Sequence, residues 1–344
     1  MANPDSNCSV AVKSLFKIYG AEPRKCVELL RNGRSKDEIL KKHNHVVALN
    51  DVNIRIPSGS IQVIMGLSGS GKSTLVRHFN RLIDPTAGSL VVNGVDVTRL
   101  NLRELQKFRS FNTAMVFQKF ALLPHRTVLD NVVYGLSLRG LPVKDATDRG
   151  LVWLERVGLR GYEKRYPSQL SGGMQQRVGL ARALAMDAPL LLMDEAFSAL
   201  DPIIRVDMQN ILLELQKDLR KTIVFITHDL DEALRLGDQI AILKDGEIVQ
   251  QGRAQDILTN PATEYVRNFV GEVNRGRFLR VEAGMSPLRD AVGAPAVRIP
   301  LGTTMETAMK AMAENEAAAV CIVDEHTTPV GTLDWKTAVS LTVK

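Results

Sequence analysis

The fold of this chain is decided by one stretch, Gly66-Leu67-Ser68-Gly69-Ser70-Gly71-Lys72-Ser73, which has the spacing G-x-x-x-x-G-K-[ST]. A short apolar run, Ile61–Met65, precedes it, and Thr74 follows it within a helical pattern. Glycines let consecutive backbone N–H groups turn inward around an anion, and a helix start adds its positive end. We therefore predict a phosphate-binding loop between a buried strand and a helix. The alternative is a glycine-rich turn with a chance Lys-Ser pair.

The composition narrows the class of protein. A length of 344 residues predicts two or three domains, and a content of 45% apolar and 24% charged residues excludes disorder of the whole chain. No apolar run approaches the roughly 20 residues that cross a bilayer, and the first residues do not resemble a secretory signal. Cys8, Cys26 and Cys321 show no metal or CxxC spacing, so we expect reduced thiols in a cytosolic protein. The net charge of +6 permits a nucleotide or an anionic membrane surface as partner without requiring nucleic acid.

Short apolar runs alternate with helical patterns from residue 47 onward. The runs at 114–117, 189–193, 223–226 and 240–243 suit strands that are covered on both faces. This predicts an α/β fold with a mainly parallel sheet between helices. Two segments differ: residues 21–45 predict two short amphipathic helices broken near residue 32, and residues of about 119–171 predict a helical subdomain inserted into the sheet domain.

Two carboxylates after another apolar run complete a candidate metal and catalytic site. The run 190–193 leads directly into Asp194 and Glu195. Asp194 is suited to hold Mg²⁺, usually through water, together with the hydroxyl of Ser73, while Lys72 reaches the β- and γ-phosphates. Glu195 is suited to orient and deprotonate an attacking water. The alternative for Glu195 is a solvated residue at a strand end.

A second helix start with small and polar residues occurs in Leu170-Ser171-Gly172-Gly173-Met174-Gln175-Gln176-Arg177. Ser171 and the two glycines there predict a second anion-binding terminus. A lone phosphate loop does not need one, so this predicts a second nucleotide phosphate or the nucleotide of another subunit. The peptide resembles the signature motif of ABC ATPases.

Further elements of the ABC ATPase family stand in the expected order. Gln118 resembles the Q-loop, Ser198-Ala199-Leu200-Asp201 the D-loop, His228 the switch histidine, and Tyr19 the aromatic residue that stacks on adenine. The resemblance covers residues 9 to about 270 and implies a P-loop NTPase fold that hydrolyses ATP with Mg²⁺. The residues it assigns are, for catalysis, Glu195, His228 and Gln118; for the metal, Ser73, Gln118 and Asp194; for ATP, Tyr19, Gly66, Leu67, Ser68, Gly69, Ser70, Gly71, Lys72, Ser73, Thr74, Ser171, Gly172, Gly173 and Gln175.

Within that family the chain is similar to the ProV/OpuAA branch. It has Ala196 where the commoner pattern has proline, and it carries the helical insert at 21–45. The resemblance implies the ATPase subunit of a bacterial importer for glycine betaine, proline betaine or choline, on the cytoplasmic face of the inner membrane. It implies a head-to-tail homodimer, a permease touched near 120–125, a periplasmic or lipid-anchored solute-binding protein, and no nucleic acid.

Three alternatives belong to other functions. A subunit of the same type could import histidine or another amino acid. A soluble ABC ATPase of DNA repair or translation usually has a long coiled-coil insertion or two cassettes in one chain, and this sequence has neither. A kinase or GTPase would not need the second anion site at Ser171.

The C-terminal part differs from the rest of the chain in composition and in its pattern of apolar residues. Residues 271–287 predict a linker after an ATPase domain of residues 1–270, and Arg275, Arg277 and Arg280, with Arg289 just beyond, predict either contact with anionic lipid or an ordinary solvated segment. Residues 288–344 resemble one CBS motif, with a strand, a helix at 305–315, a strand ending at Asp324 and a turn. This small α/β piece either binds adenine nucleotide or senses ionic strength, or serves only for dimer contacts.

Overall fold

The structure is a computed structural model that describes residues 8–118, 120–271, 273–287 and 296–342. Arg289, the first residues of the predicted C-terminal domain (288–295) and the side chain of Cys8 lie outside the described residues.

The chain alternates strands and helices throughout. The strands are β1 Cys8–Tyr19, β2 Val46–Pro57, β3 Ile61–Met65, β4 Ala87–Val92, β5 Val95–Asp96, β6 Thr113–Val116, β7 Leu190–Asp194, β8 Thr222–Thr227, β9 Gln239–Lys244, β10 Glu247–Gly252, β11 Arg298–Pro300, β12 Ala319–Val323 and β13 Pro329–Asp334. The helices are α1 Pro23–Arg31, α2 Lys36–His43, α3 Lys72–Phe79, α4 Leu102–Asn112, α5 Val128–Leu138, α6 Val143–Arg156, α7 Gly172–Ala185, α8 Pro202–Leu219, α9 Leu230–Leu236, α10 Ala254–Thr259, α11 Glu264–Gly271, α12 Met305–Glu314 and α13 Trp335–Thr342. Among the described residues, none of these helices is long and apolar enough to cross a membrane.

The chain forms two compact units. The first comprises the chain up to Asp229 together with Ala241–Ile248, and the second comprises Leu230–Ile240 and the chain from Val249 onward.

A parallel sheet forms the centre of the first unit, as predicted. β3 pairs with β8, β8 with β7, and β7 with β6, all in parallel. Every residue of β3, β7 and β8 is buried, which explains why these strands are continuous apolar runs. Because parallel strands end at the same edge of a sheet, the loops after Met65, Val116, Asp194 and Thr227 meet there.

A four-stranded antiparallel sheet with the order β2-β1-β4-β5 was not predicted by the sequence. β1 runs from Cys8 to Tyr19 and lies between β2 and β4 in this sheet. Its pairing with β2 shifts register between Val12 and Leu15, and Ser14 and Asp51 both have positive φ. These irregularities interrupt the period-two pattern that would reveal a long strand. The core between the two sheets includes Leu49, Ile64, Leu75, Leu90 and Val224.

The insert at 21–45 folds as the two short helices expected, α1 and α2, separated near Asn32. Ser35 begins α2 with a reciprocal capping box to Glu38, which satisfies two backbone donors. The insert has its own small core, which contains Phe16, Ile18, Cys26, Val27, Leu30 and Ile39.

The predicted helical subdomain contains α5 and α6, which pack with α7. Between β6 and β7 the described residues form no strand. This subdomain follows Gln118, at the sheet edge described above, and its chain returns through α7 to the start of β7.

The second unit contains the small sheet β11-β12-β13, with α12 and α13. β11 is parallel and β13 antiparallel to β12, so the strand, helix, strand and turn appear in the predicted order. The resemblance of this piece to a CBS motif stays a prediction.

Residues 271–287, predicted as a linker, contain two short 3₁₀ turns, Arg275–Arg277 and Val281–Ala283. Leu279 and Val281 are buried, and isolated bridges pair Arg280 with Thr304 and Ser286 with Thr332. The segment is therefore packed within the second unit, although its glycine- and arginine-rich composition gives no sign of this pairing. Whether a functional boundary lies there stays a prediction.

Candidate nucleotide-binding and catalytic site

The predicted phosphate loop joins β3 to α3 in a conformation that needs glycine. Gly66 and Gly71 have φ of 152° and 103°. A Cβ on Gly66 would lie 2.1 Å from the carbonyl oxygen of Leu243, and one on Gly71 would lie 2.7 Å from that of Ala48. Both obstacles are backbone atoms that cannot rotate away, so the loop can pass between its neighbours only with glycine at these positions.

Lys72 lies inside this loop. Its Nζ donates hydrogen bonds of 2.8 Å to the carbonyl oxygen of Gly66 and 2.9 Å to that of Leu67, and it lies 4.0 Å from Oε1 of Glu195. Burial lowers the pKa of the Lys72 ammonium below its usual 10.5, while Glu195 and then Asp194 oppose that shift. An anion entering the loop would replace neutral carbonyl partners with a charged one, which strengthens the contact.

Ser73 and Asp194 bring two oxygen atoms together. The Ser73 hydroxyl donates a 2.8 Å hydrogen bond to Oδ1 of Asp194, and Arg77 holds the other carboxylate oxygen at 3.2 Å. Hydroxyl and carboxylate oxygens are the ligands that Mg²⁺ prefers, and Mg²⁺ takes its remaining ligands from water and phosphate. The described residues contain no cluster of three or more His, Cys, Asp and Glu side chains suited to a metal. This donor set fits Mg²⁺ shared with a nucleotide.

Glu195 lies where three of the predicted residues meet. Gln118 donates a 2.9 Å hydrogen bond from Nε2 to Oε2 of Glu195, and Nδ1 of His228 lies 3.8 Å from Oε1. The Ser198 hydroxyl donates to the carbonyl oxygen of Glu195 at 2.9 Å, and Glu195 has a φ of 46°, so the chain turns sharply after β7. The structure thus brings Gln118, Lys72 and His228 around one carboxylate from three separate loops.

Arg205 on α8 belongs to this region but was not predicted. Its Nη1 lies 3.4 Å from Oδ2 of Asp229, the residue after His228, and its Nη2 donates to the carbonyl oxygens of Ser198 at 3.4 Å and Leu200 at 3.1 Å. It therefore joins the predicted D-loop to the predicted switch histidine. An arginine in the first turns of an amphipathic helix carries no sequence signal for this role.

The second predicted anion site begins α7. Ser171 caps this helix by accepting a hydrogen bond from the backbone N–H of Met174 at 3.3 Å. Gly173 lies against α8, since a Cβ there would be 2.6 Å from Cγ2 of Ile204. Gln175 donates to the carbonyl oxygen of Leu170. Among the described residues, no hydrogen bond of Ser171 or Gln175 reaches the phosphate loop, so the structure does not join the two anion sites within one chain.

Tyr19 lies at the end of β1 and is 44% exposed, with Nζ of Lys17 4.8 Å from its ring centre. It pairs with Val46 of β2, two residues before Ala48, whose carbonyl oxygen faces Gly71. Two residues of strand span roughly 7 Å, so Tyr19 lies beside the stretch of β2 that passes the phosphate loop. Its contact with adenine stays a prediction.

Comparison with known proteins relates these features to a family. A family model described as ABC transporter matches residues 49–198. The chain is 52% identical over 279 residues to the glycine betaine transport ATP-binding protein OpuAA of Bacillus subtilis, covering 81% of this chain and 67% of the relative. It is 52% identical to the glycine betaine/proline betaine transport system ATP-binding protein ProV of Escherichia coli, covering 75% of this chain and 64% of ProV.

A relative of similar length aligns with nearly the whole of this chain. The trimethylamine N-oxide transport system ATP-binding protein TmoW of Ruegeria pomeroyi is 42% identical over 335 residues, which cover 97% of each chain. Among solved structures, the post-hydrolysis dimer of the ATP-binding cassette MJ0796 bound to ADP and Pi aligns with a TM-score of 0.61 at 33% identity. That alignment covers 71% of this chain and 98% of the cassette.

Proposed function

The chain belongs to the family of ABC transporter ATP-binding proteins, and from this we propose that it hydrolyses ATP to drive the import of methylated amines through a partner permease. The observation that carries the proposal is the convergence of Lys72, Ser73, Asp194, Gln118 and His228 around Glu195 at one edge of the parallel sheet. This arrangement provides phosphate binding, a metal site and a base in adjacent positions.

Each side chain has a part in hydrolysis. The loop amides and Lys72 bind the β- and γ-phosphates, and Ser73 with Asp194 holds Mg²⁺, which when bound neutralises charge on the phosphate oxygens. Glu195 accepts a proton from the attacking water. Gln118 and His228 keep its carboxylate oriented, because each lies beside a different oxygen of that group.

A second copy of the chain completes the site in this proposal. Ser171 and Gly173 begin a helix that no hydrogen bond links to the loop of the same chain among the described residues. In a head-to-tail dimer they would bind the γ-phosphate of the partner's ATP with the N–H groups of that helix start. The MJ0796 cassette that this chain resembles is dimeric with ADP and Pi bound.

The permease contact is proposed at residues 120–125, on the cytoplasmic side of the membrane. Arg182 of α7 donates to the carbonyl oxygens of Ala121 at 2.7 Å and Phe120 at 3.0 Å. Asn131 both donates to and accepts from the backbone of Leu123. Since Gln118 lies just before this braced segment, a push from the permease would reach the hydrogen bond between Gln118 and Glu195.

The solute class rests on what the relatives share. Glycine betaine, proline betaine and trimethylamine N-oxide, the solutes after which the three relatives are named, all carry a methylated, positively charged nitrogen. The import of histidine or another amino acid is the second candidate, and the relatives reported above do not favour it.

Uptake by the assembled transporter tests the proposal. The chain would be reconstituted in vesicles with its partner permease and solute-binding protein, and supplied with labelled glycine betaine, proline betaine, choline, trimethylamine N-oxide or histidine. We expect ATP-dependent uptake of methylated amines, lost with Lys72→Ala. Uptake of histidine alone would overturn the solute class, and ATP hydrolysis without any uptake would overturn the transport role.

A further inference from the structure

The second unit contains a pocket of about 490 Å³ whose lining is cationic. It is lined by Thr259, Asn260, Pro261, Arg267 and Arg275, which come from the end of α10, the chain around the start of α11 and the first 3₁₀ turn. Among the described residues, the lining contains two arginines and no carboxylate, so its charge favours an anion. None of these residues belongs to the nucleotide site described above.

The arginines of this region divide into two groups. Arg277 lies 3.7 Å from the carboxylate of Glu306, and Arg280 donates to the carbonyl oxygen of Gly302 at 3.2 Å, so both have partners within the unit. Neither Arg267 nor Arg275 has an ion pair with a carboxylate in the described part of the chain. In the described part of the chain, both arginines that line the pocket therefore lack a counter-charge, whereas Arg277 has one in Glu306.

The walls of the pocket are fixed by hydrogen bonds. Thr259 donates to the carbonyl oxygen of Gln255 at 2.8 Å, and Asn260 donates to the Thr259 hydroxyl at 3.2 Å. Gln255 in turn donates to the carbonyl oxygen of Phe278 at 2.8 Å and accepts from the backbone N–H of Arg280 at 3.3 Å. These bonds tie α10 to the segment that carries Arg275.

We propose that this pocket binds a phosphoryl group, with Arg267 and Arg275 as its charged ligands. A guanidinium group matches the geometry of phosphate oxygens with two parallel N–H donors, and two such groups suit an anion with more than one charge. The volume leaves space for an organic group attached to the phosphate. The phosphate belongs either to a soluble phosphate ester or to a phospholipid headgroup, and the two sources share this chemistry.

Binding to the full-length protein tests the site. All samples carry Lys72→Ala, so that phosphate binding at the nucleotide loop is weakened in every arm. The soluble probes are inorganic phosphate and glycerol 3-phosphate, measured by calorimetry at 0.15 M salt. The membrane probe is sedimentation with vesicles of phosphatidylglycerol and phosphatidylcholine against vesicles of phosphatidylcholine alone.

Two matched double variants distinguish binding at the pocket from nonspecific attraction to the positive charge of the second unit. Arg267→Gln with Arg275→Gln removes both ligands, and Arg298→Gln with Lys310→Gln removes two exposed positive charges elsewhere in the same unit. We expect the pocket variant to weaken binding at least tenfold and the control to leave it unchanged. Arg267→Lys with Arg275→Lys keeps both positive charges but loses the paired N–H donors of the guanidinium groups, so its affinity for the probes should lie between those of the other two variants. Thermal unfolding measurements check that each variant is folded.

The outcomes are distinct. Saturable binding of the soluble probes that the pocket variant loses supports a soluble phosphate ester. Binding to phosphatidylglycerol vesicles alone, lost in the same variant, supports a lipid headgroup. The proposal is overturned if a folded pocket variant binds both kinds of probe as well as the control does, or if the parent protein binds neither.

Discussion

Gln118 donates a hydrogen bond of 2.9 Å from Nε2 to Oε2 of Glu195 and thereby joins the end of β6 to the end of β7. The same glutamine precedes the segment 120–125, which Arg182 holds through two backbone carbonyl oxygens. The orientation of the Glu195 carboxylate therefore depends on a part of the chain that continues toward the helical subdomain.

Glu195→Gln should retain ATP binding and nearly abolish turnover. The amide keeps the size of the carboxylate but cannot accept a proton from water, and loss of a general base costs roughly 10²- to 10⁴-fold in rate. The variant should also accumulate as an ATP-bound dimer, because hydrolysis no longer removes the γ-phosphate. Phosphate release and size-exclusion chromatography with ATP measure the two effects.

Glu214→Gln on the exposed surface of α8 is the control, since it removes the same charge away from the site. A Glu195→Gln protein that hydrolyses ATP as fast as this control would show that Glu195 is not the base.

Lys72→Ala should weaken ATP binding itself. Loss of one charge-assisted contact costs about 1.5–3 kcal/mol, which corresponds to roughly a 10- to 150-fold higher Kd. Fluorescence titration with a nucleotide analogue measures this change, and Lys217→Ala on exposed helix surface should leave the Kd unaltered. Equal affinities for the two variants would contradict the assignment of the phosphate loop.

Arg205→Gln should lower kcat by about 10- to 100-fold with little change in the KM for ATP, because small displacements of catalytic groups cost rates of this size. The guanidinium fork joins Ser198 and Leu200 to Asp229, and no contact of Arg205 lies in the phosphate loop. Arg205→Lys keeps the charge but cannot reach all three acceptors, so it should rescue the rate only in part. Full activity of Arg205→Gln would contradict the assignment of Arg205 as a positioning residue.

The buried histidine His78 should make the folded protein less stable at acidic pH. It is fully buried on α3, its Nδ1 donates to the carbonyl oxygen of Thr74 at 2.7 Å, and its Nε2 has no hydrogen-bond partner among the described residues. Burial lowers the pKa of His78 from 6.5 to about 4, although the Thr74 carbonyl opposes the shift. Protonation would place an unpaired charge in the core.

The direction of this pH effect follows from the pKa of His78 in the unfolded chain, 6.5, and in the folded protein, about 4. Above pH 6.5 the imidazole is neutral in both states, whereas between pH 6.5 and 4 the unfolded chain binds a proton that the folded protein excludes. The free energy of unfolding should therefore fall by about 3 kcal/mol as the pH drops through this window. Urea unfolding from pH 7.5 to 4 should show a weaker dependence for His78→Leu than for the parent or for His43→Leu, an exposed histidine. If the free energy of unfolding changes equally with pH in the parent and in both variants, His78 does not contribute to the loss of stability in acid.

Much of the site was predictable because its chemistry is local in the sequence. The phosphate loop, the carboxylates after β7 and the cap at Ser171 each lie in one short peptide, and the parallel sheet follows from its uninterrupted apolar strands. Arg205 was not predictable, since its three acceptors lie in segments that only the fold brings together.

The antiparallel sheet and the packing of residues 271–287 escaped prediction for a similar reason. The irregular pairing around Ser14 and Asp51 breaks the alternation that marks a strand, and the bridge between Ser286 and Thr332 joins residues far apart in the chain. Local patterns report local structure, so elements that are defined by distant partners remain hidden.

The parallel pairing of β3 with β8 also determines when the nucleotide site can form during synthesis. Ile61 lies beside Ile223, so the strand that carries the phosphate loop waits for a neighbour translated about 160 residues later, roughly 10 to 30 s at ribosomal speed. Until then an apolar strand with unpaired edges is exposed to solvent. Nascent chains halted before residue 222 should therefore depend on chaperones and fail to retain nucleotide, whatever the quality of their phosphate loop.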